Sequence, residues 1–207
     1  MGKSKSVGGL TLSFHPLTPT RWHDFELLFG PRGACGGCWC MYWRRTRPVF
    51  EKGKGAGNRR AMKAIVEQGR EPGILAYAGQ TAVGWCSVAP REEFIRLGSS
   101  RILKPVDDVP VWSISCLFIN RDYRNRGVSV ALLRAAIDFV AERGGTVVEG
   151  YPVEPKSAEM PPAFAWTGIA SAYRRAGFHE HRRGSATRPI MRYEIGKQKA
   201  RTRRIDQ

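Results

Sequence analysis

The 207-residue chain is predicted to be one α/β domain (α+β by some conventions), with a mixed sheet packed between helices. Three observations predict it. Short alternating or continuously apolar runs are interleaved with segments of 3.6-residue spacing. The passage from Val111 to Tyr151 reads strand, helix, strand, which makes its two strands parallel neighbours joined by a crossover helix. Six Trp, six Tyr and nine Phe supply material for a core and argue against disorder.

Residues 1–9 are chiefly Gly, Ser and Lys and are expected to be a flexible lead. Leu10 to Phe14 alternate like a first strand. Thr18-Pro19-Thr20 starts a helix, with a threonine hydroxyl available as cap. Trp22, Phe25, Leu28 and Phe29 give that helix a buried face, and Gly30-Pro31 ends it. Gly33 to Arg45 carries Cys35, Cys38 and Cys40 among glycines and aromatics. Their spacing is compatible with a soft metal, but zinc asks for a fourth ligand, which Cys86, Cys116 or His23 would have to bring; small cysteines packed as hydrophobes fit the segment better. No metal ligands are therefore assigned. Gly53 to Asn58 is a linker, and Arg59 to Gln68 a helix with Met62, Ile65 and Val66 inward. Ile74–Ala78 and Thr81–Ala89 form a hairpin across Gly79-Gln80. Pro90 to Pro110 is an irregular loop with a helical turn near Glu92 to Leu97.

Val111 to Ile119 is nearly all apolar or small, as in a strand buried on both faces. Asn120 to Tyr123 break it. After Arg124-Asn125-Arg126-Gly127-Val128-Ser129, Leu132, Leu133, Ala136, Ile137, Val140 and Ala141 mark one face of a helix. Gly144-Gly145 turns the chain, and Thr146 to Tyr151 is the next strand. Pro152 to Pro162 is a loop, Phe164 to Arg175 a helix, and Phe178–His181 and Pro189–Ile195 are two closing antiparallel strands. The end, 197–207, reads as a disordered basic tail.

The turn before the central helix has its own physics. The first helical N–H groups lack intrahelical partners and carry the positive end of the helix dipole. A glycine there lets a bulky anion approach the backbone, and Arg121, Arg124 and Arg126 add charge. A phosphate site and a solvated arginine-rich turn both fit these residues.

Arg124 to Ser129 resembles the acyl-CoA-binding motif of the GNAT acetyltransferases, (Gln/Arg)-x-x-Gly-x-(Gly/Ala), with Ser129 in place of the usual Gly or Ala. Leu117 to Tyr123 is similar to that family's lead-in, and Ser171-Ala172-Tyr173-Arg174-Arg175-Ala176-Gly177-Phe178 to its later helix-to-strand motif. The resemblance extends over about Leu10 to Ile195. It implies a GNAT-like single domain over 10–196 and an acetyl-CoA-dependent N-acetyltransferase acting in a ternary complex. Pantetheine would pair with the backbone of Leu117, Phe118 and Ile119, where two strands splay. Pyrophosphate would rest on Arg126, Gly127, Val128, Ser129 and Val130, with Arg124 and Asn125 completing the loop. Tyr173 stands at the family's general-acid position, and an aromatic anchor of the last helix would use the same residue.

An attacking amine must lose a proton. Glu149, at the end of the next strand, is the candidate acceptor; a structural ion pair fits a lone strand glutamate as well. Ser113 and Ser115 are expected on one strand face with Leu117, as relays or filler, and Cys116 on the other. Trp39, Tyr42 and Trp43 suit the wall of an acceptor pocket. His179 and His181 read as surface residues.

Net charge is +16, to which the tail's Lys197, Lys199, Arg201, Arg203 and Arg204 contribute against Asp206. Coenzyme A phosphates, nucleic acid and acidic membranes would all meet that charge. An acyl-CoA-sensing or nucleic-acid-binding module on the same fold is the alternative reading. No stretch is long enough to span a membrane, and five cysteines, an odd number, fit a reducing cytoplasm. The expected partner is a small-molecule or peptide amine, with a homodimer left open.

Overall fold

The structure is a computed structural model and describes residues 5–155 and 165–196. Among the described residues, eight strands form one sheet in the order β1-β2-β3-β4-β5-β6-β8-β7. They are β1 (Lys5–Val7), β2 (Leu10–Pro16), β3 (Gly73–Ala78), β4 (Thr81–Pro90), β5 (Trp112–Ile119), β6 (Val147–Gly150), β7 (His179–Ser185) and β8 (Arg188–Glu194). Only β5 and β6 run parallel; every other neighbour is antiparallel. The mixed α/β sheet and its parallel central pair are as the sequence predicts. Residues 5–7 of the expected flexible lead instead add a short edge strand to β2. The expected basic tail lies outside the described residues.

The helices are α1 (Trp22–Phe29), α2 (Arg47–Lys52), α3 (Ala56–Glu67), α4 (Ile95–Gly98), α5 (Val128–Ala141) and α6 (Ala170–Ala176). Burying a sheet on both faces needs two helical layers. The α5 stripe of Val128, Leu132, Ala136 and Val140 packs with α6 against Ile74, Ala76, Val83, Ile114 and Val148. The opposite face, with Leu75, Tyr77, Trp85 and Cys116, is covered by Trp22, Phe25 and Phe29 of α1 and Met62 and Val66 of α3. A smaller cluster around Phe94, Leu97 and Tyr151 closes the end near α4.

Other elements depart from the sequence reading, among them α3, which begins at Ala56 inside the expected Gly53–Asn58 linker. α2 was not foreseen, although Pro48 sits in its first turn, where proline is pre-set for a helix. The helix expected from Phe164 begins only at Ala170: Gly168 takes φ 83°, and residues 165–168 form a turn.

Candidate active site

The loop before α5 is a left-handed turn, and Gly8 of the β1–β2 turn lies so close to its Arg126 carbonyl that a Cβ there would overlap it. Asn125 (φ 59°) and Gly127 (φ 77°) both take left-handed backbone, which turns successive amides the same way. Arg124, Asn125 and Arg126 are exposed and Ser129 and Val130 half-buried, while Val128 is buried under the sheet. The first intrahelical bond is Ala131 N–H to Gly127 carbonyl, 3.1 Å, and no side chain caps the helix. The amides at the helix start are therefore not used by α5 itself. The Arg124 Nε donates to the Ile119 carbonyl, 3.2 Å, tying the loop to the end of β5.

β5 changes character half-way. It pairs with β6 only from Trp112 to Ile114. On its other edge Ser87 pairs with Cys116 but Val88 with Ile114, so Ser115 is the extra residue of a bulge. The bulge shifts the alternation. Ile114 and Leu117 both face α5, whereas Cys116 and Phe118 face α1. The expectation that Ser113, Ser115 and Leu117 share a face is corrected accordingly. Ser113 bonds the Tyr151 hydroxyl (2.7 Å), and Ser115 donates to Ser87 (3.1 Å).

Beyond the bulge, the turn 165–168 takes the place a partner strand would hold. The Leu117 N–H donates to the Trp166 carbonyl at 2.7 Å. Tyr173, fully buried, donates from its hydroxyl to the Thr167 carbonyl at 3.3 Å. Its ring lies against Gly150, so that any side chain at position 150 would overlap it. Burial, and then the nearby Cys86, pushes the Tyr173 phenol well above its ordinary value, so it keeps its proton.

Glu149 sits elsewhere. It is buried on β6, and Arg91 Nη1 (3.0 Å), the Tyr151 hydroxyl (2.8 Å) and Arg192 Nε (2.7 Å) all donate to it. Arg192 in turn clamps Asp107 with two bonds, 2.6 and 2.9 Å, which pull the Asp107 carboxyl down to about 2. His181, on the surface as expected, lies 3.6 Å from Asp107. The ion-pair alternative is the one these contacts fit.

On the α1 face, a cavity of about 400 Å³ opens against Ser115, Cys116, Leu117 and Phe118. Its walls are aromatic: Phe29, Tyr42, Trp43, Phe50 and Trp166. Tyr42 meets Trp166 edge-on at 4.8 Å and Phe50 at 5.3 Å, a packing that fixes the rings. Tyr42 and Trp43, predicted as pocket wall, are there; Trp39 is not, since it is stacked on Phe29 in the core. The carboxylate lining the cavity is Glu51, held below its ordinary value chiefly by Lys54, with which it pairs at 2.5 Å. Sequence reasoning missed Glu51 and Trp166, because a polar six-residue helix and a lone tryptophan after a proline-rich loop carry no pattern. Among the described residues, no group of three or more His, Cys, Asp or Glu is set to hold a metal ion.

Residues 39–155, more than half of the chain, match the model of the acetyltransferase (GNAT) family. The chain belongs to the GNAT acetyltransferase family. No curated protein matches it. Solved GNAT structures share its fold at low identity. A GNAT-family acetyltransferase from Listeria monocytogenes is similar with TM-score 0.56 and 11% identity, covering 93% of this chain and 100% of its own. The PaiA N-acetyltransferase of Thermoplasma acidophilum, in complex with coenzyme A, gives 0.50 and 14%, covering 89% and 99%. The ribosomal-protein-S5-alanine acetyltransferase of Vibrio fischeri gives 0.53 and 8%, covering 95% and 98%.

Coenzyme A, the cosubstrate of GNAT enzymes, can be tested against the residues present. The amides that α5 leaves without a side-chain cap, with the exposed Arg124 and Arg126 beside them, suit a diphosphate. At the strand end, the Leu117 amide and the Ile119 carbonyl already have partners inside the chain, Trp166 and Arg124. Among the described helices none is long and apolar enough to cross a membrane.

Proposed function

We propose that the chain is an acetyl-CoA-dependent N-acetyltransferase whose acceptor is a single primary amine on an apolar, aromatic-sized body, acylated by direct attack in a ternary complex. One coincidence carries this reading. The bulge at Ser115, the end of β5–β6 pairing and the floor of the aromatic cavity fall on the same three residues, Ser115 to Leu117. When bound, acetyl-CoA supplies the thioester. The amides of residues 126–130 and the guanidiniums of Arg124 and Arg126 hold its diphosphate, and the strand end of Leu117, Phe118 and Ile119 guides its pantetheine.

The Leu117 N–H, exchanged from Trp166, donates to the developing oxyanion. Tyr173, which stays protonated, gives a proton to the leaving thiolate. Glu149 is a positioning residue that fixes β6, and through it Gly150 and the Tyr173 ring; the amine proton leaves to water at the cavity mouth. The acceptor class rests on the cavity lining: six aromatic rings, counting Phe118, against one carboxylate already paired with Lys54. A second ammonium on the acceptor would find no counter-charge there. Five free cysteines fit a reducing compartment, the cytoplasm.

Calorimetry with coenzyme A, and thiol release with phenylethylamine, tryptamine, spermidine and an N-terminal peptide, test the proposal. Binding, with the arylalkylamines ahead of spermidine at least tenfold in kcat/KM, is expected. No binding at millimolar coenzyme A rejects the enzyme reading; spermidine as the best acceptor rejects the acceptor class.

A further inference from the structure

The glycine–cysteine loop that the acetyl-transfer chemistry leaves unused is built with care. Gly33 and Gly37 take φ 64° and 67°. A side chain at Gly33 would overlap the Trp39 indole, and one at Gly37 the backbone of Gly55. Asn58, fully buried, ties the Gly37 and Phe50 carbonyls together at 3.4 and 3.3 Å. Trp39 and Cys40 accept left-handed φ values of 37° and 53°, a backbone that side-chain-bearing residues rarely take. What this strain achieves is the placement of thiols. Cys40, buried, points at Cys116 of β5 with the sulfurs 3.5 Å apart, and both, together with Cys38, line the aromatic cavity. Cys38 is the half-buried member of the three. Its thiol pKa is about 7, set first by the Cys40 thiol that hydrogen-bonds to it, while burial pushes Cys40 well above its ordinary value. One thiol is accessible and readily ionised, and a protonated partner stands behind it.

We propose that Cys38, Cys40 and Cys116 form an oxidative modification site, in which a hydroperoxide converts Cys40 and Cys116 into a disulfide that fastens the loop to the central strand. The thiolate of Cys38 attacks the peroxide. An S–O bond forms, the O–O bond breaks, and the alcohol or water leaves with the thiol's proton. Cys40 then attacks the Cys38 sulfenic acid, so an S–S bond forms and water departs. Cys116 finally attacks the Cys40 sulfur and frees Cys38 as a thiol. Overall two thiols and one hydroperoxide give one disulfide, one alcohol (or water) and one water. The last step needs the two sulfurs to close from 3.5 Å to a bonded separation of about 2.05 Å, a movement of side chains. The product lies in the cavity floor beside Leu117, so acceptor binding is expected to change with it. That consequence rests on the acetyltransferase reading; the chemistry does not.

The test uses the full reduced chain, treated with hydrogen peroxide at pH 7, quenched with N-ethylmaleimide and digested without reductant. Chymotrypsin, by cleaving at Trp39, separates Cys38 from Cys40. The expected product is two hydrogens lighter, contains linked peptides of Cys40 and Cys116, and reverts with dithiothreitol. Cys38→Ser should slow the cross-link at least tenfold, and Cys35→Ser should leave its rate unchanged. A cross-link between any other pair, sulfinic acid without a cross-link, or an unchanged rate in Cys38→Ser overturns the proposal. Every readout is a mass, so each stands whether or not any amine is acetylated.

Discussion

Replacing Glu149 by glutamine separates two roles that the same residue could fill. As a proton acceptor, Glu149 would lower kcat about 10²–10⁴-fold when neutralised, with little effect on folding. As the hub of the Arg91–Glu149–Arg192–Asp107 chain, it should act on stability instead. Its side chain is 1% exposed, and the guanidiniums it holds are 12% and 4% exposed, so the substitution leaves buried charge uncompensated. Breaking such a pair costs about 3–5 kcal/mol. Arg192 keeps both bonds to Asp107 and Arg91 keeps Tyr151 and the Leu103 carbonyl, which argues for the lower end, about 3 kcal/mol. At about 2–4 °C per kcal/mol for a domain of this size, Tm should fall by about 6–12 °C. Differential scanning calorimetry measures this, and acetyl transfer at a temperature where the variant is folded should fall less than tenfold, with its pH profile unmoved. A variant that melts within 2 °C of the parent but loses kcat a hundredfold, together with the acid limb of its profile, would refute the reasoning and restore Glu149 as the base.

Tyr173→Phe keeps the ring on Gly150 and removes the hydroxyl, so kcat should fall about 10²-fold or more while thermal stability falls only by what the unpaired Thr167 carbonyl costs, about 1–3 kcal/mol; an unaffected kcat would remove Tyr173 from the chemistry. Gly150→Ala meets the same ring with a Cβ on an inflexible strand and should cost about 1–3 kcal/mol in thermal unfolding. Gly127→Ala places a Cβ in left-handed backbone at φ 77°, at about 1–2 kcal/mol, and should weaken coenzyme A binding by calorimetry about tenfold or more. Asp107 has a folded-state value of about 2, below the ordinary 3.8, so its contribution is present above pH 3.8 and lost as pH falls through 2. Acid titration followed by circular dichroism should show Asp107→Asn losing part of the stability that the parent keeps between pH 4 and 7.

Much of the fold was legible because its signals are local. A β-rich run bounded by Asn120, a stripe from Leu132 to Val140 and a two-residue turn at Gly79-Gln80 each declare an element within a dozen residues. The turn from Arg124 to Gly127 that opens α5 was legible for the same reason. What escaped depends on distance or on irregular backbone. The two arginine partners of Glu149 come from 58 and 43 residues away, and no spacing announces them. The bulge at Ser115 carries neither glycine nor proline, so strict alternation put Ser113 on the wrong face. The strand Lys5–Val7 owes its form to pairing with β2 rather than to its own residues, and propensity yields to such a context.

The two groups that acyl transfer would ask of this chain are held by adjacent carbonyls of one turn. Trp166 accepts from the Leu117 amide and Thr167 from the Tyr173 hydroxyl. Both are buried donors that would cost about 1–3 kcal/mol if left without an acceptor, so a fold that splays β5 from β6 has to answer them with something. A polar turn does so while leaving both donors exchangeable, which a paired strand, with its ladder of bonds, would not. Arg188 also reaches this turn, donating to the Thr167 hydroxyl at 3.0 Å from β8, so the turn is braced by a second strand. The splay, the bulge and the turn are thus one solution to one problem: presenting an amide and a phenol at a gap in a sheet without stranding either.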